Sequence, residues 1–143
     1  CQFVTMFIGI INVRTGAVVF SDGGHNHPFI RRAGSAPQML EFSGGVALGI
    51  MPGISYDTHQ LQLNPGDTLF LYTDGVTDAI AADESFYGDD RLQRELAAIP
   101  EGAAASVWVE TAMQSVHTFA RGHAQADDIT VLALRFLPEQ GAG

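Results

Sequence analysis

The segments LFLYTDGVTDA, residues 69–79, and ADDITVLALRF, residues 126–136, decide how this chain folds. Each joins an apolar run to aspartates, with Asp74 directly after the first run and Asp127 and Asp128 directly before the second. Such unbroken runs read as strands buried on both faces, and Gly75 permits a sharp exit from the first. If the two strands are antiparallel neighbours, the carboxyl end of one lies beside the amino end of the other, and Asp74 and Asp127 meet at one sheet edge. Carboxylates gathered there repel each other. The seven basic residues, all Arg, are scattered at 14, 31, 32, 91, 94, 121 and 135 and offer no obvious neutraliser. A hard divalent cation would relieve the repulsion, and oxygen donors without a thiolate cluster suit Mg²⁺ or Mn²⁺. The same spacing also fits a plain Asp-Gly turn at Asp74 with Asp127 and Asp128 as loop caps, and both readings stand at this level.

Outward from these strands, FVTMFIGIINV (3–13) and AVVFSD (17–22) flank the short RTG turn and predict a β-hairpin with a three-residue loop. A third strand is expected after Pro28 in FIRRA, with a short one at Met39 to Phe42 and another where polar and apolar residues alternate between Tyr56 and Leu63. Leu92, Leu96 and Ile99 follow the acidic start Asp89 and Asp90 at helical spacing, and Pro100 and Gly102 end that helix. A longer helix is expected from about Ala103 to Arg121, its apolar stripe formed by Ala105, Val109, Ala112, Val116 and Phe119. Ile129 to Phe136 is the last strand and 137–143 a disordered tail. Strands, then two helices, then a strand is an α+β order rather than alternating βαβ.

The composition narrows the function classes. At 143 residues, 46% hydrophobic and 16% charged, the chain fits one globular domain with a core. A formal net charge of −9 and dispersed Arg disfavour nucleic acid, which needs clustered positive charge. The apolar runs are too short to span a bilayer, so no membrane contact is expected from this segment. The one Cys, Cys1, excludes an internal disulfide and a CxxC zinc site. His25 and His27 in GGHNHP could face one way in an extended segment as a zinc pair, but no third soft ligand is near in sequence. GGVALGIMPG lacks the GK[ST] of a phosphate loop, and there is no GxSxG elbow.

Taken in order, FVTMFIGIINVRTGAVVFSDGGHNHPFI, GVALGI, LQLNPGDTLFLYTDGVTDA and ADDITVLAL resemble the motifs of the SpoIIE/RsbU branch of the PPM, or type 2C, metal-dependent serine/threonine protein phosphatases. The resemblance runs from Phe3 to Phe136. It implies part of a four-layer α-β-β-α sandwich with two antiparallel sheets and, in the intact domain, two Mn²⁺ or Mg²⁺ ions. Matched by position, Asp74 and Asp127 fall on metal-ligand positions. Asp128 stands where the family has Asp or Asn beside the ligand, with Gly75 and Asp78 also supporting the site, and His25 matches a family histidine that is not a ligand.

The family's first metal motif, a GD that supplies the bridging carboxylate, is expected upstream of Cys1 together with leading strands. Residues 3–136 therefore read as a partial domain, inactive by itself. Further implications are a bacterial, cytoplasmic protein with an upstream sensor or regulatory domain. The implied substrate is a phosphorylated protein, such as an anti-sigma-factor antagonist. The alternative is a catalytically silent partner-switching module of the same fold.

Overall fold

The computed structural model describes residues 2–125 and 127–137; the expected tail, Leu137 apart, lies outside them. The elements in order are β1 (Met6–Ile11), β2 (Ala17–Gly23), β3 (Phe29–Arg31), β4 (Gln38–Met39), β5 (His59–Gln62), β6 (Thr68–Tyr72), α1 (Asp74–Thr77), α2 (Asp89–Ala97), α3 (Ala105–Phe119) and β7 (Val131–Arg135). They form a three-stranded sheet, β1-β2-β5, and a four-stranded sheet, β4-β3-β6-β7. Every pairing is antiparallel.

The hairpin β1–β2 is present with a longer loop than RTG alone. The Asn12 carboxamide accepts the N–H groups of Arg14 (3.0 Å) and Thr15 (3.2 Å). These local bonds take Asn12 to Thr15 into the turn, which Gly16 closes at φ +76°. The strand expected at Met39 to Phe42 pairs instead at Gln38–Met39. Leu40 and Phe42 pack between the sheets without extending it.

Side-chain alternation along the four-stranded sheet divides the core. Ile30 and Leu69 turn toward the other sheet, where they pack with Val18, Phe20, Leu63 and Phe136. Phe29, Phe70 and Tyr72 turn the other way and meet Leu92 and Leu96 of α2 and Trp108, Ala112 and Val116 of α3. Each large side chain so buried contributes about 1.5–3 kcal/mol, and truncating fully buried Leu96 to Ala should cost about 2–5 kcal/mol. The α3 stripe is centred on Trp108, Ala112 and Val116, with Ala105 and Val109 only half-buried. Trp108 offers more apolar area than Val109 and so sets the rotation of the helix.

Helices thus clad only one of the two sheets among the described residues. The outer face of the three-stranded sheet presents Ile8 (56% exposed) and Ile10 (74% exposed), with Met6 and Val19 beside them. The arrangement is three layers, α, β and β, of the expected α-β-β-α sandwich.

Candidate metal centre

The β6–β7 ladder brings the two aspartate segments to one end of the four-stranded sheet. Its last pair is Tyr72 with Val131. Beyond it the Thr73 N–H donates to the Thr130 carbonyl (3.0 Å), and the Thr73 hydroxyl accepts from the Thr130 N–H (3.0 Å) and donates to the Asp128 carbonyl (3.2 Å). Thr73 therefore laces the two chains together, although it carries no ligand atom that sequence reasoning singled out. A hydroxyl placed between a buried strand and an aspartate was the available signal.

Asp74 begins α1, a single helical turn, in place of the plain Asp-Gly exit. Its carbonyl accepts the Asp78 N–H (2.7 Å) and the Thr77 hydroxyl (3.2 Å), while its carboxylate side chain is exposed in the first turn. Gly75 is buried against the other segment. A Cβ there would lie 2.3 Å from the Asp128 carbonyl oxygen, 2.9 Å from its carbon and 3.3 Å from the Asp127 oxygen. Only a residue without a side chain allows this approach, so Gly75 sets how close Asp74 comes to the Asp127–Asp128 chain.

Asp127 is also exposed. Its Oδ1 accepts the N–H of Asp128 (2.7 Å), which fixes the rotation of the carboxylate, and its carbonyl accepts the Gln125 side-chain amide (2.5 Å). Asp78 caps α1 and, like Asp128, is exposed. Among the described residues no group of three or more His, Cys, Asp or Glu side chains is gathered closely enough to hold a metal ion. The structure thus brings together the backbones that carry Asp74 and Asp127, but does not collect a full set of ligands.

The other candidates have structural partners. Buried Asp22 accepts N–H bonds from Gly24 (3.0 Å) and Gly45 (3.0 Å) at Oδ2 and from His25 (3.1 Å) at Oδ1. It thereby pins the GGHNHP turn to the loop at residues 43–45. His25 Nδ1 lies 3.1 Å from the Thr5 hydroxyl, whereas the His27 ring stacks on Phe42 at 4.0 Å between centroids. The two imidazoles are engaged in different directions. The Tyr72 phenol donates to Asp89 (2.7 Å), and burial together with that carboxylate pushes its pKa up.

The SpoIIE family model, described as Stage II sporulation protein E, matches residues 1–137. The chain belongs to the SpoIIE family. Over 133 residues it is 33% identical to Protein IcfG of Synechocystis, a match covering 93% of this chain and 20% of that protein. Its fold is that of the phosphatase domain of SpoIIE from Bacillus subtilis in the crystal form without domain swapping. That likeness has a TM-score of 0.73 and 22% identity, over 96% of this chain and 58% of the other. The SiaA PP2C domain of Pseudomonas aeruginosa gives a TM-score of 0.69 at 24% identity, over 85% of this chain and 46% of that one. The SpoIIE-family chain therefore spans about a fifth of the curated relative and somewhat over half of the Bacillus phosphatase domain. No helix among its described residues is long and apolar enough to cross a membrane.

Proposed function

We propose that this SpoIIE-family chain contributes the β6–α1 and β7 half of a metal-dependent protein serine/threonine phosphatase centre, with Asp74 and Asp127 as metal ligands. The observation that carries the reading is the close approach of Gly75 to Asp127 and Asp128, which sets two exposed carboxylate-bearing segments side by side at a sheet end. Their oxygen donors suit Mn²⁺ or Mg²⁺. When bound, such ions supply Lewis acidity toward phosphoryl oxygens and lower the pKa of a coordinated water.

The chain's own residues do the positioning. Thr73 locks the segments in register, α1 holds Asp74 at its first turn, and the Asp128 N–H orients Asp127. Asp128 and Asp78 add negative potential that favours a cation without being required as ligands. A bridging carboxylate from outside these 143 residues completes the centre in this reading. The substrate class is a phosphoserine or phosphothreonine protein, with an anti-sigma-factor antagonist as the specific expectation within a bacterial partner switch.

The test is manganese-dependent phosphate release from a phosphoserine peptide. The chain alone should release little, and the full-length protein carrying it should turn over. In that protein Asp74→Asn and Asp127→Asn should abolish turnover while leaving the melting temperature unchanged or raised, because removing one of several clustered carboxylates relieves repulsion. Asp128→Asn should be milder. Wild-type turnover by Asp74→Asn would overturn the assignment. A second reading, a silent partner-switching module, draws on the lack of a three-ligand group among the described residues. It is favoured if the full-length protein binds its partner but releases no phosphate.

A further inference from the structure

We propose that the cleft between the C-terminal end of α3 and the segment leading into β7 receives an acidic stretch of the protein substrate, with Arg121 as its anion contact. The proposal rests on the phosphatase reading above and adds a determinant of which phosphoproteins are accepted. The cleft has a volume of about 210 Å³. That is below the roughly 300–1,000 Å³ typical of small-molecule and cofactor sites, and it suits one or two side chains of a docked segment. Its apolar lining includes Ile80, Val116 and Ile129, while His117, Arg121 and His123 supply the polar part. Among the described residues no carboxylate lines it.

Position ties the cleft to the candidate centre. Ile80 follows α1 and Asp78 in the chain, and Ile129 is two residues from Asp127. Gln125, also in the lining, donates to the Asp127 carbonyl. A peptide seated here lies against both segments that carry the proposed ligands.

Electrostatics supplies the chemistry of the occupant. The chain carries a formal charge of −9, and the exposed Asp78, Asp127 and Asp128 each stand within two residues of a lining residue, Ile80 or Ile129. An anionic phosphoprotein approaching that edge is repelled unless a cation answers it. Four of the seven arginines have structural work. Arg31 donates to the Ile99 carbonyl, Arg32 pairs with Asp67, Arg135 donates to the Gly102 carbonyl, and Arg91 lies 4.3 Å over the Phe119 ring. Arg121 is exposed in the cleft and forms no ion pair among the described residues. With two imidazoles beside it, it presents donors to a carboxylate above an apolar floor.

The experiment measures fluorescence-anisotropy binding of two phosphoserine peptides of equal length to the full-length protein. One has Asp, Glu and Leu flanks and the other has Lys and Ser flanks. The acidic peptide should bind about tenfold more tightly, and Arg121→Glu should erase that preference while Arg121→Lys keeps most of it. Turnover of p-nitrophenyl phosphate and the melting temperature should be unchanged in both variants. Equal affinity for the two peptides, or a preference that survives Arg121→Glu, would overturn the proposal. If the wild-type protein hydrolyses neither peptide nor p-nitrophenyl phosphate, yet binds the acidic peptide through Arg121, the phosphatase reading fails and the docking cleft stands. If it hydrolyses both peptides alike and ignores flanking charge, the cleft proposal fails and the phosphatase reading stands.

Discussion

Replacing Gly75 with Ala tests the spacing of the candidate centre without touching any proposed ligand. The new Cβ would meet the Asp128 carbonyl oxygen at 2.3 Å, whereas ordinary contact begins at 3.4 Å, so the two segments must part by 3.4 − 2.3 = 1.1 Å. The obstructing atoms are backbone, which cannot swing aside as a side-chain tip can. Overpacking of this kind costs about 1–3 kcal/mol, and the better helix propensity of Ala returns up to about 1 kcal/mol. A net loss of about 1–2 kcal/mol corresponds to a melting temperature lower by roughly 3–8 °C. A displacement of about 1 Å at positioning groups can lower turnover on the order of hundredfold. Calorimetry should show the thermal shift, and Mn²⁺ titration with phosphate-release kinetics in the full-length protein carrying the chain should show the functional loss. Gly9→Ala is the control, because its Cβ meets nothing nearer than 3.7 Å. If Gly75→Ala melts with Gly9→Ala and keeps its Mn²⁺ affinity within about twofold, the close approach does not set the site.

Thr73→Val keeps the β-branched shape but removes both hydroxyl bonds to the β7 side. At about 0.5–1.5 kcal/mol each, urea melts should show a loss of about 1–3 kcal/mol that Thr73→Ser largely recovers. For Asp67, burial pushes the carboxyl pKa up, but the N–H groups of Asn64 and Ala33 and the Arg32 guanidinium outweigh it and hold the group below the usual range. A lowered folded-state pKa adds stability that is complete above the unfolded value near 3.9 and lost as pH falls through the folded value. Asp67→Asn should therefore cost about 1.5 kcal/mol near neutral pH, the low end for a charged bond because Arg32 is partly exposed, and the gap should shrink in melts below about pH 4. A constant gap would contradict the assignment. Ile8→Lys with Ile10→Lys should reduce concentration-dependent association of the 143-residue chain in sedimentation experiments, since contiguous exposed apolar surface promotes it.

The strands were legible where one physical demand dominates. LFLYT announces itself because burial on both faces leaves no room for polar alternation, whereas ITVLAL, read the same way, forms the edge strand β7 with Leu132 52% exposed; the strands pair antiparallel, as the meeting of their aspartates at one edge required. Element ends were less legible because local bonds decide them. The Asn12 carboxamide drew the hairpin loop back into the apolar run, and α1 formed where Asp-Gly suggested a turn. On α3 the periodicity put Ala105 and Val109 on the buried stripe, whereas the structure centres it on Trp108, Ala112 and Val116. The Trp108 ring lies 6.3 Å from that of Phe70 and under the guanidinium of Arg31. That contact depends on a strand nearly forty positions away, which helical spacing alone cannot register.

At the candidate site the sequence points to residue types but not to the contacts that support them. Asp74 and Asp127 stand out because carboxylates beside buried strands are electrostatically conspicuous. Thr73, Gly75 and the Asp128 N–H matter through contacts made only once β6 and β7 have paired. Asp22 shows the converse. Its aspartate-glycine setting looks like that of Asp74, yet burial and three N–H donors consume its carboxylate, while Asp74 is left exposed. The distinction lies in backbone donors brought from residues 24, 25 and 45, two of them local and one across the fold. An aspartate satisfied by amides is part of the scaffold, and one left exposed beside another carboxylate has free oxygens with which to hold a cation.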